Sequence, residues 1–278
     1  MAKHFKRNAP RGKARNEGGG RGDRREKIYI YGKHALEEAL ANAPHVIRKV
    51  FLSHEAMEDE TLARLVAAAK KTGVSVEMMR GREADRIVGE DTAHQGVIAI
   101  ADPAQLVVPF ATFIETVSKP GAPFWPTEKT MLVLLDELTD PHNVGAIIRS
   151  AVAFGAAGIL LPSHNQAPIT GSVVKASAGM VFRVPLISIG NVNQTVDALS
   201  ERGFRTYGLA MEGTASVREE AFDAPALVIV GNEGKGIRQK TLERCDVVLR
   251  IPMDSRAESL NASVSAAIVM YQWSVRHL

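Results

Sequence analysis

The chain has 278 residues, 45% of them hydrophobic, which is enough to build a sizeable core in two domains and excludes a globally disordered polypeptide. Its single cysteine, Cys245, excludes an internal disulfide and a cysteine-based zinc cluster, and no metal site is expected. No run is apolar enough to span a bilayer and no hydrophobic segment follows the positive amino terminus, so the expected setting is the cytoplasm, with no membrane partner.

The net charge of +3 is unevenly placed. Residues 1–27 carry ten Lys or Arg against three Asp or Glu, a balance of +7, so the rest of the chain carries −4. "MAKHFKRNAPRGKARNEGGGRGDRREK" lacks apolar periodicity, and residues 1–26 read as a disordered basic tail. A solubilising segment is the plain reading; Arg and Lys interleaved with Gly favour contact with nucleic-acid phosphates.

After the tail, "YIYGKHALEEALAN" reads as an extended piece and an amphipathic helix, and "VIRKVFLS" alternates like a strand. "ETLARLVAAAKKTG" has helical spacing closed by Gly73, "VSVEMMR" is a strand, "EADRIVG" a short helix and "HQGVIAIA" a third strand. Residues 27–101 are thus a small α/β domain. Residues 102–129, rich in proline with one short helical pattern in "FATFIETV", read as a connection between domains.

From residue 130 to 278 the rhythm changes. "MLVLLDEL", "GILLP", "VPLISI", "FRTYGLAM", "ALVIVGNE" and "DVVLRIP" are strands separated by helical stretches, and "SLNASVSAAIVMYQWSVRHL" is a closing helix. Strands alternating with helices imply a largely parallel sheet covered on both faces, with ligands bound beyond the carboxyl ends of the strands.

Three segments rich in small and polar residues fall at such ends. In "ALVIVGNEGKGI" the glycines at 231, 234 and 236 fit neither the dinucleotide fingerprint nor a P-loop, and Glu233 would repel phosphates. The loop better suits a cationic ligand, a hydroxyl donor or a neighbouring arginine, against the plainer reading of a tight turn with a solvated Glu. In "LLDELTDPHNVGAIIRSAVAFG" the strand ends at Asp136 or Glu137 and a helix starts near Asn143, a good N-cap by type. Gly145, four residues before Arg149, leaves a bare patch beside a guanidinium able to accept a ribose-phosphate. In "VLRIPMDSRAESLNASVSAAIVM", Ser259, Leu260 and Asn261 open the last helix, with Ser259 a possible N-cap by type.

Taken together and in this order, "DPHNVGAIIRSA", "VGNEGKGI" and "IPMDSRAESLNAS" resemble the motifs of the SpoU family of RNA ribose 2′-O-methyltransferases, within the SPOUT class, and in particular its branch acting on guanosine of large-subunit ribosomal RNA. The resemblance covers Met131 to the carboxyl terminus, and "YIYGKHALEEAL" and "HQGVIAI" extend it to the small domain, which is similar to the family's ribosomal-protein-L30e-like substrate-binding module. The loop "DSRAE" departs from it by lacking a glycine many relatives carry after Ile-Pro-Met, and Ala262 stands where valine is usual.

The resemblance implies an α/β catalytic domain with a deep trefoil knot, a homodimer, RNA as substrate, and S-adenosylmethionine as methyl donor. It places the cofactor against Gly231, Ile251 and Leu260. It makes Arg149 the group that grips a substrate phosphate and polarises the 2′-hydroxyl, with the proton leaving through that phosphate or water. Glu233 would orient Arg149 or Asn143, and Asn261 would position substrate or a companion side chain. The alternatives are methylation of transfer RNA and a non-catalytic RNA-binding assembly factor; a nucleotide-dependent oxidoreductase fails on glycine spacing.

Overall fold

Alternation in the sequence builds the first sheet. In the computed structural model, which describes residues 27–54, 58–79, 83–89, 94–119 and 126–278, β1 (Ile28–Tyr31) buries Ile28 and Ile30 and leaves Tyr29 and Tyr31 half-buried on its other face. Then come α1 (Lys33–Asn42), β2 (Ile47–Leu52), α2 (Glu60–Lys71), β3 (Ser75–Met78), α3 (Glu83–Val88) and β4 (Val97–Ala101). The sheet order is β1-β4-β2-β3, with β4 antiparallel to both β1 and β2, and β3 parallel to β2. Asp59 caps α2 by accepting from the backbone N–H groups of Thr61 and Leu62. The Lys33 ammonium bonded to Asp59, together with those N–H groups, holds the carboxyl below its usual range. Gly73, at φ +78°, closes the helix in the left-handed region. The expected basic tail, residues 1–26, lies outside the described residues.

The stretch 102–129 is more than a connection. Val107–Pro109 forms β5, the edge strand of a second sheet, and Phe110–Val117 forms α4 beneath it. A three-residue strand ending in proline carries too little pattern to be read in advance, and proline is tolerated there because the strand is at an edge.

The second sheet is completed by β6 (Met131–Asp136), α5 (Pro141–Ala153), β7 (Gly158–Pro162), α6 (Gly171–Ala176), β8 (Leu186–Ile189), α7 (Val192–Ser200), β9 (Arg205–Leu209), β10 (Ala215–Ser216), β11 (Ala226–Gly231), α8 (Gln239–Leu242), β12 (Val247–Arg250) and α9 (Ala262–His277). Its eight strands run in the order β10-β12-β9-β11-β6-β7-β8-β5, and every pairing is parallel. The uninterrupted apolar run of β6 follows from burial on both faces. Met131, Val133 and Leu135 join the layer that includes Ile147 and Val269, while Leu132 and Leu134 join the one that includes Phe113 and Val196.

Two helix starts differ from expectation. Asp140, not Asn143, caps α5, accepting from the His142 N–H with Pro141 at the first helical position, which needs no donor. Asn261, not Ser259, caps α9 through the N–H groups of Ser263 and Val264.

Gly145 also has a different use from the one its spacing suggested. It is buried under α6, where a Cβ would stand 2.5 Å from Ala176 Cβ and 2.9 Å from the Ser177 nitrogen. The patch is closed by a helix, so it cannot accept a phosphate. That same α6 region holds the small domain: Gly171 packs on the Tyr29 carbonyl, and the Arg183 guanidinium donates to both carboxylate oxygens of buried Glu38, from Nη2 to Oε1 at 2.9 Å. The Glu38 carboxylate in turn raises the Arg183 pKa above its ordinary value.

Gly145→Ala separates the two readings by sign. On an open helix face it would stabilise by up to roughly 1 kcal/mol; against α6 we expect a loss of about 1–3 kcal/mol, measured by denaturant unfolding.

Candidate active site

The three motif segments meet at one amide. Asn143, in the first turn of α5, is buried, and its Nδ2 donates to Glu233 Oε1 at 2.8 Å. Its Oδ1 accepts from Asn261 Nδ2 at 2.9 Å. The carboxylate can only accept, so the Asn143 nitrogen must face Glu233 and its oxygen must face Asn261. Asn261 Oδ1 then accepts from the backbone of Ser263 at 2.8 Å and from its hydroxyl at 2.6 Å. Donors thus point one way along the whole chain, from the positive end of α9 through two amides to a carboxylate, an order in which each bond polarises the next.

A second set of bonds fixes the loop that carries Glu233. Asp136, fully buried at the end of β6, accepts from Arg238 Nη2 at 2.7 Å, and Arg238 Nη1 lies 3.2 Å from Glu137 Oε1. Asn232 Nδ2 donates to the Glu137 carbonyl at 2.9 Å, and its Oδ1 accepts from Gly234 and Lys235. Between Asn232 and Gly236 the chain folds back on itself through two backbone bonds of 3.0 and 2.9 Å. Gly231 is required by that fold: a Cβ would collide with the backbone at Gly236 and Ile237. Its bareness therefore serves the loop's own packing, beyond any approach to a ligand.

Glu137 itself sits at φ +62°, an uncommon conformation for a side-chain-bearing residue. Its carbonyl is held by Asn232, and its carboxylate by Arg238 and by Asn165 Nδ2 at 3.2 Å. Such a conformation costs roughly 1–3 kcal/mol and persists where the surroundings over-determine it.

The remaining expected residues lie around this junction. Ile251 is half-buried just past β12, and Leu260, next to Asn261, is exposed, as is Met253. Residues 253–260 are exposed throughout, with Asp254 held below the usual carboxyl range by its bond to Arg256. Of the four expected catalytic residues, Arg149 is the one that the hydrogen-bonded chain does not include. It is exposed on α5, six residues and about 9 Å of helix from Asn143, and makes no hydrogen bond or ion pair among the described residues. Glu233 is bonded to Asn143, and not to Arg149.

Sequence reasoning missed Arg238, Asn232 and Gln166. Gln166 Oε1 accepts from the Leu138 N–H at 3.0 Å, which ties the loop after β7 to the loop after β6. Each of these residues works through a partner 28 to 102 positions away, a pairing that no local pattern records.

The groups at the strand ends are the exposed carboxylate of Glu233, exposed aliphatic and thioether side chains, and two loops rich in backbone polar groups. This set suits a nucleoside carrying a cation better than a polyphosphate, and S-adenosylmethionine fits it.

Comparison with known proteins agrees. A model of the SpoU rRNA Methylase family matches residues 130–271, and one described as RNA 2′-O ribose methyltransferase substrate binding matches residues 29–107. A 23S rRNA (guanosine-2′-O-)-methyltransferase RlmB from Pseudomonas syringae pv. tomato is 34% identical over 243 residues, 87% of this chain and 93% of that protein. A putative TrmH family tRNA/rRNA methyltransferase from Staphylococcus haemolyticus is 32% identical over 248 residues, 89% of this chain and 95% of that one. Among solved structures, an rRNA methyltransferase from Sinorhizobium meliloti superposes with a TM-score of 0.75 at 23% identity, covering 92% of this chain and 89% of that one. The SpoU methyltransferase AviRb from Streptomyces viridochromogenes gives a TM-score of 0.74 at 22% identity, covering 90% of each chain, so the fold is shared. The chain belongs to the SpoU rRNA methylase family.

Replacing Arg238 by Met leaves buried Asp136 without its guanidinium. We expect a loss of about 2 kcal/mol, below the roughly 3–5 kcal/mol of a fully buried pair because half of Arg238 meets solvent. Chemical denaturation measures it, and Asp136→Asn in the same chain should recover part of the loss.

Proposed function

We propose that this protein methylates a guanosine ribose of 23S ribosomal RNA, with Asn143, Arg149, Glu233 and Asn261 as its working polar groups. The chain is an S-adenosylmethionine-dependent RNA ribose 2′-O-methyltransferase. The observation that carries the site assignment is the hydrogen-bonded line from Glu233 through Asn143 to Asn261, which draws three distant motifs to one end of the sheet. The choice of guanosine comes from the printed name of the Pseudomonas relative.

S-adenosylmethionine supplies, when bound, a methyl group activated by its sulfonium. Gly231, Ile251 and Leu260 are the residues we assign to holding it, through the backbone of the 231–236 loop and the apolar surface around Leu260. The protein's own task is to ready the ribose. A 2′-hydroxyl is a poor nucleophile near neutral pH, so its proton must be drawn away as the oxygen attacks. Arg149 is the exposed cation beside the junction; it binds the substrate phosphate through its planar fork and polarises the hydroxyl. An arginine does not give up its own proton near neutral pH, so the ribose proton leaves through the phosphate or water. Glu233 and Asn261 clamp Asn143 from both sides, which fixes where α5 presents Arg149 relative to the 231–236 loop.

Four further features complete this reading. We divide the chain into a small RNA-binding unit ending near residue 101 and a catalytic unit beginning with the segment that contains β5. The carboxyl-terminal third of the catalytic unit is taken as a trefoil knot, because the chain leaves β12 beyond β9 and returns through residues 251–261 to α9, which packs on α5 and β11. A homodimer is favoured by the exposed stripe of Val264, Tyr271, Val275 and Leu278 on α9 and by the groove that Ala146 and Ser150 form with α9. Arg149 adjoins Ser150 at the edge of that groove. No helix among the described residues is long and apolar enough to cross a membrane; acting on ribosomal RNA, the protein would work in the cytoplasm.

Arg149→Ala should lower kcat on the order of 10²–10³-fold and weaken RNA binding several-fold through the lost phosphate contact, while cofactor affinity stays within about twofold. Near-normal methyl transfer by a folded variant that still binds RNA would reject the assigned role. For the dimer, Tyr271→Glu should shift the protein to a monomer in light scattering, and an unchanged mass would contradict the α9 interface.

A further inference from the structure

Two tyrosines of the small sheet carry cations that no carboxylate among the described residues holds. Tyr29 and Tyr31 share the face of β1 turned away from α1 and α2, and their inner sides pack on the cluster of Met79, Ala84 and Ile98. Over Tyr29 lies the Lys27 ammonium, 5.6 Å from the ring centroid; over Tyr31 lies Lys175, at 5.5 Å. Lys33 and Lys49 are ion-paired, with Asp59 and Glu77, whereas Lys27 and Lys175 have no ion pair among the described residues.

We propose that Tyr29 and Tyr31, with Lys27 and Lys175, form a stacking platform for single-stranded RNA on the path out of the methyl-transfer site; this rests on the reading of the protein as an RNA methyltransferase. Flat aromatic rings beside unpaired cations match the two parts of an unstacked nucleotide, its base and its phosphate. A cation over a ring gains at most a modest attraction at an exposed site, so each ammonium gives up its ring to a base and takes the phosphate without breaking an ion pair. A duplex hides its base faces and cannot use the rings, which selects single-stranded RNA.

Placement supports the same occupant. Lys175 belongs to α6 of the large sheet's layer and Tyr31 to the small sheet, so the platform bridges the two where Gly171 packs on the Tyr29 carbonyl. Helix α6 directly follows the loop at the carboxyl end of β7, and Asn165 of that loop donates to Glu137 beside the candidate site. The six residues from Asn165 to Gly171 can span at most about 20 Å. An RNA strand seated at the site therefore meets the rings within a few nucleotides. The sequence before Lys27 holds nine Lys or Arg and joins the fold at this point.

The test uses the full-length protein, a fluorescent 12-nucleotide single-stranded RNA, the same sequence as a duplex, and a 23S rRNA transcript for activity. Tyr31→Leu, Tyr29→Leu and Lys175→Glu should each weaken single-strand binding about tenfold and raise the KM for the transcript similarly. The kcat at saturating RNA and the affinity for S-adenosylmethionine should stay within twofold. Tyr31→Phe should behave as wild type, because stacking needs the ring and not the hydroxyl. Binding within twofold of wild type in Leu and Glu variants that melt normally would overturn the platform. So would equal affinity for the duplex, or a Phe variant as weak as the Leu variant. A wild-type protein that binds the RNA but transfers no methyl contradicts the enzymatic reading and leaves the binding comparison to judge the platform.

Discussion

The structure turns on one buried amide. Asn143 has a donor and an acceptor pointing in opposite directions, and each is matched by a residue from a different motif, Glu233 on one side and Asn261 on the other. An unsatisfied buried amide costs roughly 1–3 kcal/mol, so moving either loop away carries a penalty as well as the loss of a bond. The loops bearing Gly231 and Leu260 are thereby held at the end of β6, where a parallel sheet of this kind binds its ligands.

That constraint needs rigid supports. The buried carboxylate of Asp136 and the carboxylate of Glu137, whose backbone is left-handed, both engage Arg238, so the loop after β11 is tied at its far end as well as at Glu233. On the opposite side α6 presses on Gly145, and beyond it Arg183 grips Glu38 of the small domain. A continuous set of contacts thus joins the amide junction to the sheet that bears Tyr29 and Tyr31. The two units are registered by packing and one bidentate ion pair, with residues 102–106 alone leading from β4 to β5.

Much of this was legible in the residues. Apolar runs bounded by glycine and proline gave the order of strands and helices, because burial on both faces of a parallel sheet leaves an unmistakable pattern. The conjunction of "DPHNVGAIIRSA", "VGNEGKGI" and "IPMDSRAESLNAS" pointed to the family, and the fold brings the three segments together. What escaped reading depends on partners far away in sequence. Asp140 and Asn143 are both good caps by type, and only the bond to Glu233 shows why Asn143 is used elsewhere. Gly145 looked open because helical spacing says nothing of what covers a face. β5 was missed because its pairing with β8, not its own three residues, makes it a strand.

We propose that the junction around Asn143 organises a pocket for transfer of a methyl group to an RNA ribose. The most direct test is to incubate the purified protein with 23S rRNA and S-adenosylmethionine labelled in the methyl group, then map ribose methylation nucleotide by nucleotide. Label is expected on the 2′-oxygen of one guanosine, and it should be lost when Asn143 is replaced by Ala in a folded protein. Label on a base, or full activity in the Asn143 variant, would contradict it.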